Sequence, residues 1–371
     1  MNQIDHRYLL DEILCQSSEE NCYFGECSEC RGRLPRDILR SELNDDVTGE
    51  DETCWLTWGS VTYDNLDHED DTKPVNKKIM LQRVSGSVGE LIDEFDAQWH
   101  KFAAHHYTTR EQMNYIKQIK LDSSDQDRII VEMDFAENHN LIVQHQIQQA
   151  HYNTAQATIF TINIHVNNNT HHAMAIISDS LDHDVKFVHA AQKIITQFVR
   201  DNYPDVACLN YVTDGACQHF KNNKSILNLT YHYRDFGITA SWTFASTAHG
   251  KSSVDGIGAS IKYRATRRVL SGDRRDAILT PRELYYFTST DTSLKVFYLD
   301  SDAIQSNSRK YNLEVRLNQR GVKGEYTEKN IGVVPNLKWF LPWAHGKNLF
   351  WFRGNCGVLQ NHYYLHRIKV P

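Results

Sequence analysis

Beyond residue 127 the apolar positions fall into short runs separated by polar turns, and the runs switch between strand and helix periods. RIIVEMD (128–134) predicts a strand. ATIFTINIHV (157–166) and HHAMAIIS (171–178) predict two strands around an NNNT turn, hence a hairpin. VKFVHAAQKIITQFVRDNY (185–203) is amphipathic at helical spacing and is stopped by Pro204. VACLNYVTD (206–214) and ITASWTFAS (238–246) read as strands, and QHFKNNKSILNLTYHY (218–233) and GIGASIKYRATRRVL (256–270) as helices. Earlier, Val88, Leu91, Ile92, Phe95, Trp99 and Phe102 recur at three- and four-residue spacing, and Met113, Ile116 and Ile119 resume it after a TTRE turn. Thr108 and Thr109, with Glu111 and Gln112 nearby, read as the cap of that second helix.

The order β-β-β-α-β-α-β-α predicts an α/β (α+β) fold: a ribonuclease-H-like mixed five-stranded sheet flanked by helices. Three strands form an antiparallel meander, and crossover helices add the others. The first and fourth strands are then neighbours, which sets Asp134 beside Asp214. The 22-residue stretch between the first two strands exceeds what the fold needs and reads as a lid or active-site loop. The chain thus divides into a Cys-rich, acidic region (1–80), a helical segment (81–125), the core (126–282) and a module (283–371). That last module is small, basic, aromatic-rich and β-rich, with strand-like runs SLKVFYLD, YNLEVRLN and NLFWFRG. CWLTWGSVTY, holding Trp55 and Trp58, reads as a short ordered strand between the loop-like segments NDDVTGEDE and DNLDHEDD.

Composition sharpens this picture at three points. The 371-residue chain carries a net charge of −7, unpromising for a nucleic-acid partner, but residues 1–80 hold 19 acidic and 8 basic residues. The segment 251–282 holds 8 basic and 3 acidic residues, and 305–371 holds 11 and 3. Local basic surface decides nucleic-acid binding, although a solvated face has the same composition. No run approaches the ~18 apolar residues of a membrane span. MNQIDHRYLLDEIL lacks a basic region followed by an apolar core, so a nuclear or cytoplasmic location is expected rather than secretion.

Eight cysteines without a secretory signal favour metal over disulfides. Cys15, Cys22, Cys27 and Cys30 place four thiols in sixteen residues, ending in a C-x2-C knuckle. Four thiolates are a closed, structural Zn²⁺ shell. Cys54, Cys208 and Cys217 read as buried small residues.

Three acidic residues carry the candidate chemistry. Asp134 (VEMDFAEN) and Asp214 (NYVTDGACQHFKNN) end strands, and Asp255 (KSSVDGIGASIK) opens a helix. Ionised oxygens held without slack suit Mg²⁺ or Mn²⁺, and two such ions cut phosphodiesters. The plainer reading makes Asp255 a helix cap, favoured at a helix N-terminus, and Asp214 a turn residue. Secondary candidates are Glu137 as a fourth oxygen ligand, with His249, Lys251, His151 and Gln156 near the phosphate. On the last helix Ile257, Ile261, Ala265 and Val269 should face the sheet. That leaves Arg264, Arg267 and Arg268, flanked by Lys262, to meet a nucleic-acid backbone.

The segments D-F-A-E-N (134–138), Q-Q-A-H-Y-N-T-A-Q-A-T (148–158), T-D-G-A-x-Q-x-F-K-N (213–222) and H-G-K-x-x-x-D-G-I-G-A-x-I-K (249–262) resemble a family of transposon-derived, DDE-type transposase-like proteins. The resemblance covers roughly residues 15–270. It implies a ribonuclease-H-like core with Asp134, Asp214 and Asp255 as metal ligands, and DNA as substrate. Ser252 stands where similar proteins have glycine, and the tail keeps only Cys356. Because DDE-type sites often end in Glu, Glu283 rivals Asp255. The expected function is a metal-dependent DNA nuclease or strand-transferase, with a possible homo-oligomer. The alternative is a domesticated, catalytically silent DNA-binding or protein-interaction protein.

Overall fold

The computed structural model describes residues 5–43, 47–63, 76–123, 128–144, 155–167, 169–245, 252–272 and 277–318, with two short strands at 338–340 and 351–353. It comprises two compact units, residues 1–110 and 111–371.

In the first unit α1 (His6–Ile13), α2 (Glu20–Tyr23) and α3 (Pro35–Glu42) precede a hairpin of β1 (Glu52–Tyr63) and β2 (Asn76–Ser87). The Asp5 carboxylate caps α1, accepting from the Arg7 and Tyr8 N–H groups at 2.9 Å each. Leu9, Leu10, Ile13 and Leu14 pack with Cys22, Tyr23 and Cys30 on Trp99 and Ala103. The hairpin is 12 residues a side rather than the short strand expected around Trp55 and Trp58. Trp55 Nε1–H donates to Glu94 at 2.6 Å, and on the opposite face Trp58, 70% exposed, pairs with Leu81.

Trp99, Ala103 and Glu94 lie on α4, which runs unbroken from Val88 to Asp122. The expected cap at Thr108–Thr109 is absent. The Thr108 hydroxyl instead donates back to the Ala104 carbonyl at 2.8 Å, so it satisfies its own helix and does not start a new one.

The second unit is a mixed α/β sheet flanked by helices. Its strands are β3 (Arg128–Phe135), β4 (His139–Asn140), β5 (Gln156–His165), β6 (His171–Ser178), β7 (Cys208–Thr213), β8 (Thr239–Phe244), β9 (Lys295–Tyr298), β10 (Lys338–Phe340) and β11 (Trp351–Arg353). They run in the order β10-β11-β8-β7-β3-β5-β6-β9, with β4 on β5. β3, β5 and β6 form an antiparallel meander, while β7 lies parallel to β3 and β8 parallel to β7. The intervening helices are α5 (Val185–Asn202), α6 (Asn223–Thr230), α7 (His232–Phe236), α8 (Ser253–Ser271), α9 (Pro281–Thr288), α10 (Ser301–Lys310) and α11 (Leu313–Asn318).

Alternation along β3 sorts the two faces. Ile129, Val131, Met133 and Phe135 point into the main core, with Phe187 and Ile195 of α5, Ile226 of α6 and Ile304 of α10. On the other face Ile130 meets Ile119 at the end of α4. Also on that side, Ile261, Ala265 and Val269 of α8 cover Ile159 and Ile177, as their four-residue repeat predicts.

Residues 283–318, read from the sequence within a separate C-terminal module, build onto this sheet. β9 pairs in parallel with β6. YNLEVRLN is not a strand but supplies α11, where buried Arg316 grips Asp235 through two hydrogen bonds of 2.7 and 3.1 Å. Among the described residues no helix is long and apolar enough to cross a membrane.

Candidate functional site

The β3–β7 register, Glu132 opposite Val212, carries Asp134 and Asp214 to the same end of neighbouring parallel strands. Phe135 N–H donates to Asp134 Oδ1 at 2.8 Å, and Ala216 N–H donates to Asp214 Oδ1 at 3.1 Å. Asp255 occupies the first turn of α8, where its Oδ2 accepts from Ser252 N–H at 2.8 Å. The cap expected of Asp255 therefore exists, and the residue still bears on the strand carboxylates. Burial first, then the charge of Asp214, pushes the Asp134 carboxyl up to about 7, with Asp255 adding a smaller push against the Phe135 hydrogen bond. Like charges brought together this way are relieved by a cation. Three hard oxygen donors suit Mg²⁺ or Mn²⁺.

Among the described residues Cys15, Cys22, Cys27 and Cys30 bring their four sulfurs within 4.8 Å of one another. The Cys15 and Cys27 sulfurs stand 3.8 Å apart. A tetrahedron with metal–sulfur bonds of about 2.3 Å has edges of about 3.8 Å, so this pair stands at the edge length of a Zn²⁺ shell and the four thiols are compatible with one. Backbone hydrogen bonds from Cys30 and then Glu29 draw the Cys27 thiol down to about 7. Burial and the neighbouring thiols push Cys15 up to about 12, a crowding that a shared cation would remove. Of the cysteines expected to be buried, only Cys208 is; Cys54 lies on the outward face of the hairpin and Cys217 in the exposed turn after Asp214.

The secondary candidates separate. Glu137 is exposed. Glu283 caps α9, accepting from Leu279 N–H at 2.6 Å, and is thereby engaged away from the aspartates. Gln156 donates to Asn140 at 2.6 Å, fastening β4 to β5. His151, His249 and Lys251 lie outside the described residues, as does the part of the expected lid at 145–154. On α8, Arg264 is ion-paired with Asp291 and Arg268 stacks over Phe287 at 5.3 Å, while Arg267 is exposed and Lys262 half-buried.

Two groups beside the aspartates escaped the sequence reading. Glu132, two residues before Asp134 and on the same face, is 3% exposed. Its Oε1 accepts from Lys120 Nζ at 2.6 Å, and its Oε2 meets His165 Nε2 at 2.5 Å and Ser253 Oγ at 3.0 Å. Burial alone would raise its carboxyl; the His165 hydrogen bond and the Lys120 charge reverse that and hold it at about 2. The second group is His183 and His219. His183 stacks on Phe135 at 4.2 Å, His219 meets the same ring edge-on at 5.2 Å, and His183 Nε2 is 2.8 Å from Asn138 Oδ1. Burial lowers the pKa of both imidazoles. The signal that could have found Glu132 is a single Glu enclosed by the apolar residues Ile129, Ile130, Val131 and Met133.

No curated protein and no solved structure matches the chain. Residues 112–325 match the model of the family described as a domain of unknown function (DUF8701), which is more than half the chain, and the protein belongs to that family.

Proposed function

We propose that the chain is a metal-dependent DNA nuclease or strand-transferase with a ribonuclease-H-like core, its metal ligands Asp134, Asp214 and Asp255. The observation that carries this reading is the electrostatic meeting of the three carboxylates from two strand ends and a helix start. The strand order of meander followed by two parallel additions supports the fold assignment. Mg²⁺ or Mn²⁺, when bound, would activate a water or 3′-hydroxyl and stabilise the leaving oxygen. Asp134 and Asp214 would orient that chemistry from fixed strand ends, each held by a backbone N–H, and Asp255 would close the site from α8. Asp134 must give up its proton for this role, which a cation favours. The Cys15–Cys30 cluster would hold a structural Zn²⁺, and a nuclear location accompanies the DNA substrate.

The second reading, a catalytically silent DNA-binding or interaction protein, is favoured by Asp255 already serving as a helix cap, its Oδ2 accepting from Ser252 N–H at 2.8 Å. Incubating purified protein with labelled duplex and Mg²⁺ or Mn²⁺ separates the two. Cleavage that needs the cation and falls by at least about 10²–10³-fold in Asp134→Asn, the scale of losing one electrostatic stabiliser, supports the enzyme. An Asp134→Asn protein that cleaves like wild type, or a wild type that binds duplex without cutting it, sinks that reading.

A further inference from the structure

Glu132 is a buried hub reached from three other elements. Lys120 comes from the end of α4, His165 from β5 and Ser253 from the first residue of α8. Ser253 in turn accepts from Asn163 Nδ2 of β5 at 2.7 Å, so Asn163, Ser253 and Glu132 form a chain of donors running into one carboxylate. Such chains polarise one another and rigidify their members. Both Glu132 oxygens are engaged by these donors, which leaves it poorly suited to serve as a fourth metal ligand.

The two ends of this chain matter by position. Glu132 stands two residues before Asp134 on the same strand face, and Ser253 two residues before Asp255. We propose that the Ser253–Glu132 hydrogen bond is a positioning bridge that fixes Asp255 against Asp134; the inference rests on the carboxylate reading above. Ser253 is itself exposed, and α8 keeps a separate cap in Ser252 and Asp255. The hydroxyl is therefore not needed to start the helix; what it supplies is the tie between helix start and strand. Losing that tie frees the helix start relative to β3, and a misplacement of about 1 Å at a reacting centre can cost 10²-fold in rate.

The test compares full-length wild type, Ser253→Ala and Ser253→Thr. Mn²⁺ alone is titrated by paramagnetic resonance or calorimetry, and turnover and duplex affinity are measured separately. Ser253→Ala is expected to melt within a few degrees of wild type and bind duplex equally. Its Mn²⁺ affinity or its turnover should fall by about 10–100-fold, the usual effect of removing a group that orients a ligand. Ser253→Thr, which keeps the hydroxyl, should recover to within a few-fold. If wild type binds Mn²⁺ and cleaves while Ser253→Ala does both equally well, the bridge is wrong and the carboxylate reading stands. A Ser253→Ala protein that loses duplex binding together with its fold also overturns the bridge, by making Ser253 a structural residue. If wild type neither binds Mn²⁺ nor cleaves, the carboxylate reading falls and takes the bridge with it.

Discussion

Gly258 of α8 lies against Ala136 beyond the end of β3: a Cβ on Gly258 would stand 3.1 Å from the Ala136 Cβ and 3.5 Å from Thr161 Cγ2. The closing glycine of D-G-I-G and the alanine of D-F-A-E-N are thus partners in one close approach, and that approach brings Asp255 toward Asp134. Gly258→Ala sets a helix-propensity gain of about 1 kcal/mol against a contact that must yield by a few tenths of an ångström. Its melting temperature should stay within a few degrees of wild type. Gly258→Leu overpacks the same spot and should lose about 1–3 kcal/mol. Thermal unfolding of both checks this, and a Leu variant as stable as wild type would show that the helix start has room to spare.

The cysteine cluster predicts a metal content. Freshly purified protein should carry about one equivalent of Zn²⁺. Cys27→Ser should lose most of it, because its partner sulfur lies at tetrahedral-edge distance and its thiol is the one held near 7. Elemental analysis of both proteins is the check. Less than about half an equivalent in wild type would remove the site. Chelator should lower the unfolding temperature of wild type and leave Cys27→Ser unmoved.

Much of the second unit is readable because its strands are buried on both faces or alternate cleanly. Between Gln156 and His165, β5 is apolar or Thr/Asn for eight residues, all of them buried, which no loop sustains. The carboxylates were legible for the same reason: an acid closing an apolar run marks a strand end. What failed depended on distant partners. Thr108 has the same local sequence whether it caps a new helix or bonds back to Ala104. YNLEVRLN alternates like a strand, but Arg316 is held by Asp235, 81 residues away. Glu132 reads as an ordinary charge until Lys120, His165 and Ser253 are in place around it. β2 carries too many Lys, Gln, Arg and Ser residues to announce itself, and β9 gains its meaning only beside β6.

The basic face of α8 is unequal. Arg264 already faces Asp291, whereas Arg267 is exposed. On the DNA reading, Arg267→Ala should weaken binding to unrelated duplexes alike and reduce the slope of log affinity against log salt by about 1. Arg264→Ala should change that slope less and cost under about 1 kcal/mol of stability, the scale of a partly exposed ion pair. The triple replacement of Arg264, Arg267 and Arg268 should flatten the slope further. Titrations at several salt concentrations decide it: a triple variant that folds and keeps the wild-type slope takes this helix off the binding surface.

Acid stability depends on a buried histidine away from the three aspartates. His232 is 1% exposed, with its Nδ1 2.8 Å from the Ile238 carbonyl and its Nε2 2.9 Å from the Tyr211 hydroxyl. A carbonyl only accepts, so Nδ1 carries the proton, and Nε2 accepts from Tyr211 in the neutral ring. Burial lowers its pKa from 6.5 to about 4, outweighing the favourable Ile238 hydrogen bond; the charge of His189 pushes the same way. The unfolded chain therefore takes up a proton at His232 before the folded chain does. Its contribution to stability is complete above about pH 6.5 and is lost progressively as pH falls through about 4. Asp235, whose pKa is lowered in the fold despite its burial, contributes in the same direction, so absolute acid stability does not isolate the histidine. The slope does. His232→Gln is expected to be less stable than wild type throughout, because it disturbs two buried hydrogen bonds, but to show a shallower fall in unfolding free energy between about pH 6.5 and pH 4. Denaturant titrations across that window measure it, and equal slopes in the two proteins would show that His232 is protonated in the fold.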